Sequence, residues 1–152
     1  MAKRKTINIT ANRQFDFPAG KVFDAWLNPE IARHWLFATP DGVMQKVEMN
    51  PVIGGSYVVV ERRAEGDAEH FGQYIRINRP SLLEFTFSVD RTSKDSGRVL
   101  IELTPVEKGC KVILTHEMDA RWVEYVDRTK TGWESLLEGL NRTLEKMDKA
   151  RE

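Results

Sequence analysis

Residues Ala120–Lys149, ARWVEYVDRTKTGWESLLEGLNRTLEKMDK, decide how the rest of the chain must fold. Apolar residues recur there at Trp122, Val126, Trp133, Leu136, Leu137, Leu140, Leu144 and Met147. From Trp133 onward their spacing places them on one face of a helix, with Glu, Ser, Arg, Asn, Thr, Lys and Asp forming a solvated back. Asp119 is placed to cap the start, with Met118 and Val123 as a staple across the first turn. Lys146, Lys149 and Arg151 sit where cations suit the helix dipole. At ~1.5 Å rise per residue the rod is roughly 40 Å long. The sequence Thr131-Gly132-Trp133-Glu134 also reads as a capping box, so the helix could start or break there. A helical glycine costs about 1 kcal/mol relative to alanine, which predicts a packing or pocket reason for Gly132, such as close backbone approach. One helix cannot bury such a stripe alone, so the chain upstream must supply a wide apolar surface.

That surface reads as a sheet. Ile7, Ile9 and Ala11 alternate with polar neighbours and lead to Phe15 and Phe17, predicting a first strand over about residues 5 to 16. Pro18 suits a first helical turn, and Val22, Phe23, Trp26 and Leu27 make a short amphipathic helix. Asn28-Pro29-Glu30 restarts the pattern as cap, first helical position and early acid, so a second short helix is expected through about Trp35. From Val43 to Glu117 the period changes to two. Val47 and Met49 alternate, Gly54-Gly55 marks a bend or bulge, and a strand beginning at Tyr57 runs to a turn at Glu65-Gly66-Asp67. Phe71, Ile75 and Ile77 follow, then Leu83, Phe85 and Phe87, then a polar loop over Thr92–Gly97. Val99, Ile101 and Leu103 lead through Glu107-Lys108-Gly109 to Val112, Leu114 and His116. This is an antiparallel meander with one apolar face. The expected fold is α+β: a curved antiparallel sheet of six to seven strands wrapped around a long C-terminal helix, with two short helices after the first strand. A curved sheet and a straight rod do not match everywhere, so a cavity between them is expected.

At 152 residues the chain is read as a single domain, 1–152. Its 23 basic and 23 acidic residues balance, so nothing global draws it to nucleic acid or anionic membrane. The N-terminus MAKRKTINIT lacks the apolar run of a signal peptide, and no stretch approaches a membrane span. A single cysteine, Cys110, rules out an internal disulfide and suits the cytoplasm; at the start of a strand it reads as a small packing residue.

The order of motifs resembles the START-like (SRPBCC, helix-grip) superfamily. Within it the chain is similar to the Hsp90-ATPase-activator-homologue (AHSA1-like) family. The resemblance is carried by Phe17-Pro18 through Val22-Phe23-Asp24-Ala25-Trp26, by Asn28-Pro29-Glu30 with Trp35, and by Pro51-Val52-Ile53-Gly54-Gly55-Ser56-Tyr57. It continues in Phe71-Gly72-Gln73-Tyr74, Leu83-Glu84-Phe85-Thr86-Phe87, Thr115-His116 and Gly132-Trp133. It implies the helix-grip fold and three kinds of role: hydrophobic-ligand binding, Hsp90 stimulation connected with stress response, or cyclase-like chemistry. The eukaryotic co-chaperone's additional N-terminal domain has no counterpart in these residues, which weighs towards ligand binding.

The residues permit the same division. His34, His70 and His116 lie in different elements without metal-ligand spacing, so no metal site is expected. His116 continues the inward parity of Val112 and Leu114. It reads either as a half-buried histidine satisfied by backbone or as a polar anchor or acid/base for a ligand. Tyr57 shares the parity of Val59, and Phe85 and Phe87 that of Leu83; all could border a pocket opposite Trp133, or simply fill the core. Glu84 and Glu102 fall on the opposite parity and are expected to be solvated. Spacing supports neither a Ser-His-Asp nor a Cys-His set. The expected function is binding of a small, mostly apolar molecule, with Trp35, Tyr57, Val59, Phe71, Phe85, Phe87, Ile101, Leu114, His116, Trp133 and Leu137 around it. No cofactor and no catalytic residue are assigned, and a monomer or homodimer is expected. An Hsp90-type chaperone partner and a cyclase- or lyase-like enzyme are the alternatives.

Overall fold

The computed structural model describes residues 5–92 and 96–150. Arg151, and residues 93–95 of the expected Thr92–Gly97 loop, lie outside them. Seven strands form one antiparallel sheet in the order β1-β7-β6-β5-β4-β3-β2. These are β1 (Thr6–Phe15), β2 (Val43–Met49), β3 (Ser56–Arg63), β4 (Gly66–Asn78), β5 (Leu82–Phe87), β6 (Gly97–Val106) and β7 (Gly109–Asp119). Helices α1 (Ala19–Leu27) and α2 (Pro29–Ala32) join β1 to β2. A 3-10 segment, Ala120–Tyr125, leads into α3 (Val126–Ala150), which lies over the concave face of the curved sheet.

The alternating residues of β1, β5, β6 and β7 do what their period demands. Ile9, Ala11 and Phe15, Leu83 and Phe85, Val99, Ile101 and Leu103, and Val112 and Leu114 are all buried. From α3, Trp133, Leu137, Leu140 and Leu144 complete the core, joined by Val22, Phe23 and Trp26 of α1. Trp26 stands edge-on to Trp35, 4.7 Å between ring centres, and the Trp35 indole donates to the Ala25 carbonyl. Cys110 is fully buried, with its thiol pushed up by that burial. Asn28 caps α2 as expected, accepting from the Glu30 amide. Asp119 caps the 3-10 segment, accepting from the Arg121 amide.

Four local expectations are corrected. Helix α2 ends at Ala32, three residues before Trp35. No helix begins or breaks at Thr131-Gly132: α3 runs through it, and the capping box is unused. The segment before Val126 is 3-10 rather than α, none of its residues is buried, and Val123 is too open for a staple with Met118 to bury much. Glu84 is buried rather than solvated, because Arg76 and Arg98 close over its carboxylate at 2.7 and 3.4 Å.

The β3–β4 hairpin turns earlier than the residues suggested. Arg63 pairs with Gly66, leaving Ala64-Glu65 as the two-residue loop, and Gly66 takes φ 124°, which favours glycine. Because side chains alternate with period two, a loop of two residues in place of the three suggested by Glu65-Gly66-Asp67 exchanges the faces of the following strand. Hence His70, opposite Val59, faces inward, while Phe71, opposite Val58, faces outward beneath the Arg91 guanidinium.

Candidate functional site

Helix and sheet part company near the start of α3, leaving a cavity of about 840 Å³. One wall comes from the 3-10 segment and the first turns of α3, through Trp122, Tyr125, Thr129, Gly132, Trp133 and Leu136. Facing it are Phe87–Val89 after β5 and His116–Asp119 at the end of β7, with Gly97 beside them. The connection Phe37–Pro40 and the side chains of Arg63 and His70 close the third side.

The centre of this space is an aromatic box. Phe37 stacks on His70 at 4.5 Å with the rings within 6° of parallel. Phe87 meets His116 edge-on at 5.3 Å, and Trp133 approaches both Phe37 and His116 within 6 Å. Phe37 holds φ 57°, a left-handed conformation that a bulky residue rarely adopts. Its carbonyl accepts from Arg63 Nη2 at 3.2 Å, which helps fix that turn. Strain of this kind persists where its surroundings over-determine it and gathers at functional sites.

Both histidines in the wall are neutral at pH 7. Burial pushes His116 down to about 4. His70 is also pushed down to about 4, by burial first and the nearby Arg63 charge second. The Trp133 indole N–H donates to His116 Nδ1 at 2.9 Å, so the network assigns the His116 proton to Nε2. That nitrogen lies towards Gly97, where an added Cβ would come within 2.8 Å of it. His70 Nδ1 donates to the Val59 carbonyl at 3.4 Å, leaving its Nε2 as an acceptor. His116 is thus satisfied by an indole rather than by backbone, and the indole also fixes which of its nitrogens can donate.

Behind the wall, Glu61 is fully buried. It accepts from the Thr39 amide at 2.7 Å, the Thr39 hydroxyl at 2.8 Å and Arg63 Nε at 2.7 Å. Burial alone would raise this carboxyl, but those three donors outweigh it and hold it below the usual carboxylate value. Gly42 is part of the same device, since a Cβ there would overlap the Glu61 carboxylate.

The eleven residues expected around a ligand separate into three groups. Phe87, His116 and Trp133 line the cavity. Trp35, Tyr57, Val59, Phe85, Ile101, Leu114 and Leu137 are buried in the packed core; the Tyr57 hydroxyl donates to the Thr86 carbonyl at 2.7 Å. Phe71 borders a separate depression with Tyr57, Gln73 and Arg91. The spacing did not single out Phe37, Arg63 or His70 for the wall. For Arg63 and Glu61 a signal existed, since both continue the inward parity of Tyr57 and Val59. Gly132 also lines the cavity, but a Cβ there would meet nothing within 4 Å, so close backbone approach is not its reason. Among the described residues no group of three or more His, Cys, Asp or Glu could hold a metal ion, and no helix is long and apolar enough to cross a membrane.

The sequence from residue 16 to residue 145 matches the family model for "Activator of Hsp90 ATPase homolog 1-like protein". No curated protein matches the sequence. Several solved structures share the fold. A protein of unknown function from Staphylococcus aureus superposes with a TM-score of 0.85 at 15% identity, covering 97% of this chain and 98% of its own. A Rhodobacter sphaeroides protein gives 0.82 at 22% identity over 92% and 93%. The AHSA1-like protein from Aeromonas hydrophila gives 0.79 at 20% identity over 93% and 94%. At these identities the likeness is one of fold alone.

Proposed function

The chain belongs to the Activator of Hsp90 ATPase homolog 1-like family, and from that premise we propose that it binds a small, mostly apolar molecule in the cavity beneath the start of α3. The observation that carries this is the aromatic box of Phe37, Phe87, His116 and Trp133 facing about 840 Å³ of space. A space of that size suits a molecule of drug-like dimensions, and apolar walls with a few placed polar groups are the usual form of such sites. Binding accounts for the histidines better than catalysis does. Both titrate near 4, so neither is poised to transfer protons near neutral pH. The buried, free Cys110 is consistent with a reducing, cytoplasmic setting.

Nile red, a neutral dye that brightens in apolar surroundings, tests this reading. It should bind one site per chain. Gly132→Leu should weaken it about tenfold or more, because the new side chain enters open space at the cavity wall without meeting the core. Equal binding by wild type and Gly132→Leu would remove the cavity from consideration.

A second reading is favoured by one feature. Trp122, Val123 and Tyr125 of the 3-10 segment and Val89 across from them are exposed large apolar residues, and such patches mark interaction sites. A protein partner of the chaperone type would use them. It would be indicated if Trp122→Ser abolished a chaperone interaction while Gly132→Leu left it intact.

A further inference from the structure

Resting on the apolar-ligand reading above, we propose that the cavity selects monoanionic amphiphiles, molecules with an apolar body and one carboxylate, and that Arg63 receives the carboxylate. Three charged residues belong to the wall among the described residues: Arg63, Glu117 and Asp119. The two acids are drawn to arginines that are not part of the wall, Glu117 to Arg98 at 3.3 Å and Asp119 to Arg121 at 3.7 Å. For Arg63 the arrangement is reversed. Its partner, Glu61, is fully buried and outside the wall, so the guanidinium stands between that carboxylate and the cavity. The cavity therefore meets the cation and not the anion of this pair.

Arg63 is also oriented before anything binds. Its Nε is held by Glu61 and its Nη2 by the Phe37 carbonyl. A guanidinium carries five N–H donors in a fixed fork. Two are used, and Nη1 has no acceptor among the described residues. A carboxylate placed there would gain charge-assisted hydrogen bonds from a group that needs no further ordering. Beside it, Phe37 and His70 offer parallel ring faces and Trp133 an edge, which suit the adjoining methylene or aromatic body. His70 is uncharged at pH 7, so it adds no competing cation.

Decanoate and 1-decanol, which share a chain and differ in the head group, separate this proposal from the broader one. Each is titrated against the protein loaded with Nile red. Decanoate should displace the dye at about a tenfold lower concentration than decanol, and in Arg63→Gln the ratio of the two displacing concentrations should fall to about one, whatever that variant's own affinity for the dye. The 15N-edited signal of the wild-type Arg63 Nε–H should shift with decanoate and stay in place with decanol, a readout that needs no variant to fold. Equal displacement by the two compounds, or an Arg63 signal indifferent to decanoate, overturns the carboxylate site and leaves the apolar cavity standing. Failure of Nile red to bind at all overturns both.

Discussion

The two halves of the C-terminal helical segment, the 3-10 turn with the start of α3 and the remainder of α3, use their apolar residues differently. From Leu137 to Leu144 the stripe is sealed: Leu137, Leu140 and Leu144 are at most 1% exposed. Outside it, Glu138 pairs with Arg13 of β1 and Asp148 with Lys21 of α1, which pin this half to the fold. From Ala120 to Trp133 the 3-10 segment and the first turns of α3 leave space between themselves and the sheet. Trp122 and Tyr125 are 39% and 42% exposed, and among the described residues of this half only Trp133 is buried. A straight rod can fit a curved sheet closely over part of its length, and here the fit is spent on the C-terminal half. One half is built for stability, and the other leaves room for something else.

If the sealed half carries the stability, Leu140→Ala should show the largest effect, a loss of about 2–5 kcal/mol in urea unfolding. A loss below about 1 kcal/mol would mean that this half does not grip the sheet.

The next effect belongs to the open half and depends on pH. Burial holds His116 near 4 against an ordinary 6.5. A histidine depressed in the folded state takes up its proton more readily when unfolded. Its contribution is therefore whole above about pH 6.5 and is lost as pH falls towards 4. At about 1.4 kcal/mol per pH unit this comes to roughly 3 kcal/mol. His116→Gln should flatten that part of the stability profile, leaving the similar share from His70. Superimposable slopes for wild type and variant would show that the ring is not sealed beneath Trp133.

The smallest effect has the opposite sign. Gly132→Ala should stabilise the protein by about 1 kcal/mol, since a methyl there meets no neighbour within 4 Å. Destabilisation would mean that α3 lies closer to the sheet at this point than described.

The sequence shows the fold more fully than it shows the site. Period two in β5, β6 and β7 and the spacing of Leu137, Leu140 and Leu144 reflect burial, and burial restricts residue type. Those elements could therefore be read directly. A cavity wall imposes a weaker rule, because an aromatic residue beside a void and one inside a core look alike in sequence. The parity of Tyr57 and Phe85 fits either a pocket wall or the core, and they lie in the core, while Phe37 sits in a connection without periodicity, held at positive φ by contacts remote in sequence. His70 was hidden for a different reason. Its face depends on hairpin register, and a loop of three residues instead of two sends Phe71 inward in its stead. Glu61 and Arg63 followed the parity of Val59, and only their charge argued against an inward position.

The division of the C-terminal helical segment into a sealed and an open half is tested most directly by backbone amide NMR with 1-naphthol, a small apolar molecule, added stepwise. Shifts should gather at Gly132, Trp133, His116 and the residues after Phe87, with Leu140 and Leu144 unmoved. Shifts centred on Leu140 and Leu144, or none at saturating naphthol, would contradict the account.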